Sequence, residues 1–270
     1  MSDRCKLIQG GSYEAKTGRY TNVSAKIFEG IRCGWRVSHV VEVRAAITQA
    51  RNLYNVKVTG NSVAMADGST DGILFGGYAA DSWNVYGMIA SGDVLQASAG
   101  GFGVRLFRGV NCMVDKNLIT GSNYAIYIDT CNQLVLSYNL VSGSGICGLQ
   151  ATNDSNDAIV TGNLFTEVQN KGIFVTSSSD RWMMNFNLFR NTAKASGQKA
   201  AEFSAGSTKG SFNGNLFWSN QTTKPATLLY TTSDTTLFMY AGNNLVGAYS
   251  GTAPINVASS VGSATATNMS

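Results

Sequence analysis

Val160-Thr161-Gly162-Asn163-Leu164-Phe165 is one copy of a phrase that recurs through the second half of the chain. The same pattern reads Val114-Asp115-Lys116-Asn117-Leu118-Ile119, Leu136-Ser137-Tyr138-Asn139-Leu140-Val141, Met184-Asn185-Phe186-Asn187-Leu188-Phe189 and Phe212-Asn213-Gly214-Asn215-Leu216-Phe217. A last copy reads Asn244-Leu245-Val246, so the spacings from Asn117 through Asn139, Asn163, Asn187 and Asn215 to Asn244 are 22, 24, 24, 28 and 29 residues. Weaker upstream copies are Val58-Thr59-Gly60-Asn61-Ser62-Val63 and Ala90-Ser91-Gly92-Asp93-Val94, where Asp replaces Asn. Even spacing with fixed apolar neighbours marks a repeat whose units bury their apolar faces only against one another.

Each unit carries a second apolar stretch, as in Ala125-Ile126-Tyr127-Ile128, Gly145-Ile146-Cys147-Gly148-Leu149, Gly172-Ile173-Phe174-Val175 and Thr227-Leu228-Leu229-Tyr230. These runs are short, β-branched or aromatic, and bounded by Gly, Ser, Asn and Asp, which reads as strands between turns. Three strands in roughly 24 residues leave no room for a helix. The expected fold is all-β, a single-stranded parallel β-helix of about nine coils, making a rod roughly 40 Å long at ~4.8 Å per coil. Its Asn residues would form a ladder, each tolerating positive φ at a tight corner and bonding the Asn of the next coil. A leucine-rich repeat is the rival, since Leu134 to Val141 fits its consensus. Against it, Ala158, Trp182, Met184 and Phe212 stand where leucine is required, and the segment after Asn is strand-like.

Composition removes several function classes. Of 270 residues only 13% are charged, about half the usual share, while 44% are hydrophobic and the net charge is +4. The 20 Lys and Arg are scattered, so no nucleic-acid partner is expected. The opening residues Met1-Ser2-Asp3-Arg4-Cys5 lead into Gly10-Gly11 without an apolar core, so no secretory signal is expected, and no apolar run reaches the ~18 residues that insert in a membrane. Cys5, Cys33, Cys112, Cys131 and Cys147 are an odd set without CxxC spacing and read as free thiols of a chain made in a reducing cytoplasm. His39 is the single histidine, which argues against multi-histidine metal sites; no metal or cofactor is expected. The expected organisation is a cap or docking segment over 1–50, the β-helix over 51–246 and a Ser/Thr/Ala-rich tail over 247–270. Residues 40–51 read either as a capping helix or as an early strand.

In its coil pattern and Asn ladder, over roughly Asn55 to Val246, the chain resembles the right-handed parallel β-helix (pectate-lyase-like) superfamily. That resemblance implies that the Asn corner joins the second and third strands of a coil, making 125–128, 146–149 and 173–175 first strands. The superfamily holds polysaccharide lyases, hydrolases, epimerases, adhesins and trimeric phage tailspikes. With few charges and free thiols, the leading expectation is a phage virion protein, tailspike-like and homotrimeric, on the particle exterior and made in the host cytoplasm. It would bind host surface polysaccharide or other virion proteins. A polysaccharide lyase or glycoside hydrolase acting on an acidic polysaccharide, and a purely structural decoration protein, are the alternatives; whether the chain is an enzyme is left open.

Strand alternation assigns the faces. Val114, Leu136, Val160 and Met184 point inward, which puts Met113, Val135, Ile159 and Met183 outside, and Leu118, Leu140, Leu164 and Leu188 follow the Asn corner. These eight form an apolar stripe expected to be an oligomer interface; a 600 Å² stripe is worth on the order of 15 kcal/mol before association costs. Hydrolysis of a glycoside needs two carboxylates and elimination needs a base. Asp154, Asp157 and Asp180, on loops after first strands, are the catalytic candidates, with turn duty as their alternative role. Tyr127, Phe174, Arg190, Lys194 and Trp218 are the candidates for binding substrate, the rings by stacking on sugars and the cations by pairing with acidic groups.

Overall fold

The computed structural model describes residues 12–14, 19–21, 39–43, 53–55, 57–65, 71–76, 84–97, 100–207, 209–232, 239–246 and 255–256. Every regular element among them is a strand. Apart from an antiparallel hairpin of Ser12–Glu14 with Arg19–Thr21, the strands stack into three parallel sheets. The first sheet, of 9 strands, includes Asp71–Phe75, Phe102–Phe107, Tyr124–Asp129, Cys147–Thr152, Lys171–Val175, Lys199–Phe203 and Thr227–Thr231. The second, of 11, includes Met113–Asp115, Asn132–Ser137, Asn156–Thr161 and Trp182–Asn185, and the third, of 8, includes Leu118–Thr120, Leu140–Ser142, Leu164–Thr166 and Leu188–Arg190. The segment after each Asn is therefore a strand, as a β-helix requires and a leucine-rich repeat does not.

About six turns are closed on all three sides, fewer than the nine coils expected. The extra strands that lengthen the sheets lie towards the ends, where the connecting residues fall outside the described set. His39–Val43 pairs in parallel with Asp71–Phe75, so this part of the 40–51 segment is a strand of the stack; residues 44–51 lie outside the described residues. At the other end Ile255–Asn256 pairs with Thr227–Thr231, so the stack passes both expected boundaries, 51 and 246.

In-register pairing makes the interior a set of columns. Val114, Leu136, Val160, Met184 and Phe212 succeed one another on the second sheet and are buried. On the third sheet Phe165, Phe189 and Phe217 stack with centroids 5.3 and 4.6 Å apart. Offset stacking of this kind adds to the burial of each ring. The first sheet makes room for them with glycine. A Cβ on Gly148 would lie 2.6 Å from the Phe165 ring, and one on Gly172 2.9 Å from Phe189. Large and small residues thus alternate across the core so that each coil keeps close packing.

The corner between the second and third sheets carries the amide ladder. Asn139 donates from its backbone N and Nδ2 to Asn163 Oδ1, both at 2.9 Å, and from Nδ2 to the Val114 carbonyl at 2.9 Å. The same step links Asn117 to Asn139, Asn163 to Asn187 and Asn187 to Asn215. Asn61 and Asp93 extend the column upstream, so the Asp of the weak copy is a rung. Two expectations are corrected. The last rung is Asn243 and not Asn244, because Leu245 pairs with Phe217 and that register puts Asn243 beside Asn215. The positive φ belongs to the residue before each rung, as at Lys116, Tyr138, Gly162, Phe186 and Gly214. The Asn earns its place by hydrogen bonding alone.

A second ladder, unseen in the sequence reading, occupies the corner between the first and second sheets. Cys131 N donates to Ser155 Oγ (3.2 Å) and Ser155 N to Ser179 Oγ (3.1 Å). The Ser155 and Ser179 hydroxyls in turn donate to the Thr152 and Thr176 carbonyls. The spacings from Cys131 through Ser155 and Ser179 to Ser207 are 24, 24 and 28 residues, the same as those from Asn139 to Asn215, and this was the signal that could have found it.

Candidate functional site

The outward face of the first sheet differs in chemistry from the rest of the rod. Register aligns Arg105, Tyr127, Gln150, Phe174, Glu202 and Tyr230 in one column, one residue per coil. Alternation sends Ile126, Leu149 and Ile173 beside them into the core, so every member of the column points outward. The rings of Tyr127, Phe174 and Tyr230 recur every second coil, about 10 Å apart.

Cations lie on these rings. The Arg105 guanidinium is 4.1 Å from the Phe102 centroid, 4.6 Å from Phe107 and 5.4 Å from Tyr127, with Asp71 Oδ2 at 3.6 Å. Phe102 also stacks on Tyr124 at 5.1 Å. Burial raises the Tyr127 phenol above its ordinary range, with the nearby Asp129 charge adding to it. Three coils on, Lys171 Nζ sits 3.6 Å from the Phe174 centroid and 3.1 Å from Glu202 Oε2. Lys199 lies 3.8 Å from the same carboxylate oxygen and 4.9 Å from the Tyr230 ring. Two lysines on adjacent coils thus share one buried carboxylate, which leaves one positive charge in excess at this end of the face, beside the Phe174 and Tyr230 rings.

The sequence candidates fall in three places. Tyr127 and Phe174 are in the column just described. Arg190 and Trp218 are neighbours on the third sheet, where Arg190 Nε donates to Thr166 Oγ1 at 3.0 Å. Lys194 lies in the loop after the third sheet and pairs with Glu167 at 2.9 Å. Burial pushes the Glu167 carboxyl up, but hydrogen bonds from Asn191 and Lys194 outweigh it and hold the group below its ordinary range. Asp154, Asp157 and Asp180 cluster at the corner between the first and second sheets. Asp154 and Asp157 are both exposed and take positive φ, Asp154 in the bend before the second-sheet strand and Asp157 near the start of that strand, Asn156–Thr161. The Asp157 carboxylate forms a two-pronged ion pair with Arg181, whose hydrogen bonds lower its pKa.

Chemically, this face is suited to binding. Among the residues whose side chains are described, its carboxylates are Asp71, Asp129 and Glu202, two and three coils apart, hence about 10 and 14 Å along the axis. Glycoside hydrolysis uses pairs ~5–5.5 or ~6.5–9.5 Å apart, closer than these. Among the described residues no group of three His, Cys, Asp or Glu is placed to hold a metal ion. No helix among them is long and apolar enough to cross a membrane.

Coiled parallel strands, interior ladders and one charged aromatic face define a β-solenoid. The chain belongs to the right-handed β-helix family, whose model, described as a right handed beta helix region, matches residues 45–217. Among solved structures it is similar to DFA-IIIase from Arthrobacter chlorophenolicus A6 without its lid, at 15% identity and a TM-score of 0.56, over 81% of this chain and 64% of that one. It is also similar to the Agl-KA catalytic domain, at 13% identity and a TM-score of 0.56, over 82% of this chain and 46% of that one. The Dettilon tailspike protein is a looser match, at 12% identity and a TM-score of 0.43, over 72% of this chain and 55% of that one. The chain therefore spans less than two thirds of each, and identities this low carry the fold alone. No curated protein matches the sequence significantly.

Proposed function

We propose that this chain is a polysaccharide-binding β-helix that lays an acidic glycan along the outer face of its first sheet. The observation that carries the reading is the column of Tyr127, Phe174 and Tyr230 at two-coil intervals with Arg105, Lys171 and Lys199 on the rings. Rings offer sugar stacking surfaces, while the lysines around Glu202 supply charge for carboxylate groups. Calorimetric titration with a polyuronate and with a neutral glucan tests it. The polyuronate is expected to bind with an affinity that falls as salt rises, and Phe174→Ala or Lys171→Ala to weaken it about tenfold; no binding, or equal binding of both polymers, refutes it. Appearance of an unsaturated uronate absorbance or of reducing sugar in the same mixtures would turn the reading into that of a lyase or hydrolase.

Within this class we assign the chain to the exterior of a phage particle, made in the host cytoplasm and assembled as a homotrimer. Three buried cysteines kept as thiols support synthesis in a reducing compartment. Copurification with particles tests the placement, and its absence from purified virions refutes it. Presence on particles without glycan binding would favour a purely structural decoration protein.

A further inference from the structure

Eight of the nine large hydrophobic side chains exposed among the described residues lie along one corner of the rod; the ninth, Trp218, ends its third-sheet strand on the side away from that corner. They include Ile159 and Met183 on the second sheet, Leu140 and Leu216 on the third, and Tyr138 and Phe186 at the turn between them, 63% and 72% exposed. The first sheet and the corner that joins it to the second contribute none of them. Register turns them into columns. Met113, Val135, Ile159 and Met183 succeed one another on the second sheet. Val94, Leu118, Leu140, Leu164, Leu188 and Leu216 do so on the third. Between the columns run small polar residues, Ser137, Thr161 and Asn185, and Lys116 is neutralised by Asp115 at 3.0 Å.

We propose that this corner points to the axis of a parallel homotrimer, the second-sheet face of one copy packing against the third-sheet face of the next. The inference specifies the trimeric part of the reading above and is independent of glycan binding. Six coil steps between Val94 and Met239 give a length of about 29 Å, and with a width near 20 Å the patch reaches roughly 600 Å² in plan. That is the upper end of what monomers leave open; divided between the two junctions that each copy makes, it is about 300 Å² in plan at each, below the ~800 Å² per partner of a standard two-body interface, so the assembly relies on closing three junctions at once. The occupant is a second copy of this chain because the columns repeat at the strand spacing, a periodicity that another parallel rod of the same kind matches coil for coil. Two different faces meeting at one corner favour a head-to-tail contact; a two-fold pair would use the same patch on both copies. Three is the smallest closed ring with such contacts.

Sedimentation velocity at about 10 μM tests it on the full chain. The expected mass is three times 28.6 kDa. Ile159→Lys and Leu140→Lys, each on one face and outside the core, are each expected to yield a monomer with the wild-type far-ultraviolet circular dichroism. Mixed, those two variants still share one intact junction and are expected to form a pair. A wild-type mass for either variant alone refutes the face-to-face arrangement. A wild-type monomer refutes the assembly, and peroxide oxidation of Met183 and Met239 then says why. Rapid oxidation means a bare face, and protection at every dilution means cover by the chain's own residues. Protection that is lost on dilution, together with the trimer mass, supports the proposal. Loss of polyuronate binding with the trimer intact leaves this inference standing and refutes only the glycan reading.

Discussion

Asp93→Asn is expected to stabilise the protein at neutral pH. Asp93 is the one carboxylate in the described amide column, fully buried, with Oδ1 accepting from Asn61 N and Nδ2, both at 2.8 Å. Its Oδ2 is buried without a hydrogen bond. At the rungs that follow, the corresponding atom is an amide Nδ2, which donates to the next rung and to the carbonyl three residues before the previous one, as Asn117 does to Asn139 Oδ1 and to the Ala90 carbonyl. By the same step Oδ2 of Asp93 faces two acceptors, Asn117 Oδ1 and the Val58 carbonyl. Burial accordingly raises the Asp93 pKa, against the opposing hydrogen bonds from Asn61 and Ser91. A carboxyl whose folded pKa is raised contributes stability that is complete below its unfolded pKa and is lost as pH climbs through the folded one. Asn supplies the missing donor at every pH. An unsatisfied buried polar atom costs about 1–3 kcal/mol, and at ~2–4 °C per kcal/mol for a chain of this size the variant should melt about 2–12 °C higher at pH 7. The gain should shrink at acid pH, where the wild-type carboxyl carries its own proton. Thermal melts of both proteins at pH 7 and pH 4 measure this. A variant no more stable at pH 7, or a difference that does not narrow in acid, refutes the reasoning.

Asn163→Ala should cost about 3 kcal/mol or more in urea unfolding, because it strands the Asn139 donors and the Leu136 carbonyl inside the rod. Thiol labelling of Cys112, Cys131 and Cys147, followed site by site, should be negligible until the chain unfolds. Burial pushes Cys112 up to about 11 and Cys147 up to about 12, and raises Cys131 further still. Asp154→Ala and Asp157→Ala should leave polyuronate affinity within about twofold, since both lie off the first-sheet column, and loss of the exposed Asp157–Arg181 pair should change stability by only about 0–1 kcal/mol. A large loss of affinity in either would return them to the site.

The repeat made the fold legible because a coil must return to the same register each time round, so its corner residues recur at the length of one turn. Asn139, Asn163 and Asn187 announce themselves for that reason, as did the exposed column of Met113, Val135, Ile159 and Met183 once alternation was applied. The Ser155–Ser179 ladder was equally periodic, but serine is common in turns and its hydroxyl carries no distinctive neighbour pattern. The site was less legible. Tyr127 and Phe174 stand out in the sequence as rings able to stack on sugars, yet nothing local says that they share one outward column, or that Arg105, Lys171 and Glu202 stand in or beside it. Their association depends on how many residues each intervening coil contains. Asp154 and Asp157 stood out as acids in the right loops, and only coordinates showed one committed to Arg181 and both bent at positive φ.

The sequence by itself determined that the chain winds into three-sided coils, because periodic burial and buried amides admit no other arrangement of strands this short. Tertiary structure alone decided which of Asn243 and Asn244 is the rung, where cations settle on rings, and that most of the large apolar groups exposed among the described residues gather at one corner. Those outcomes depend on contacts between residues 22 to 32 positions apart, whose alignment is set by the register of whole coils and by no residue's own chemistry.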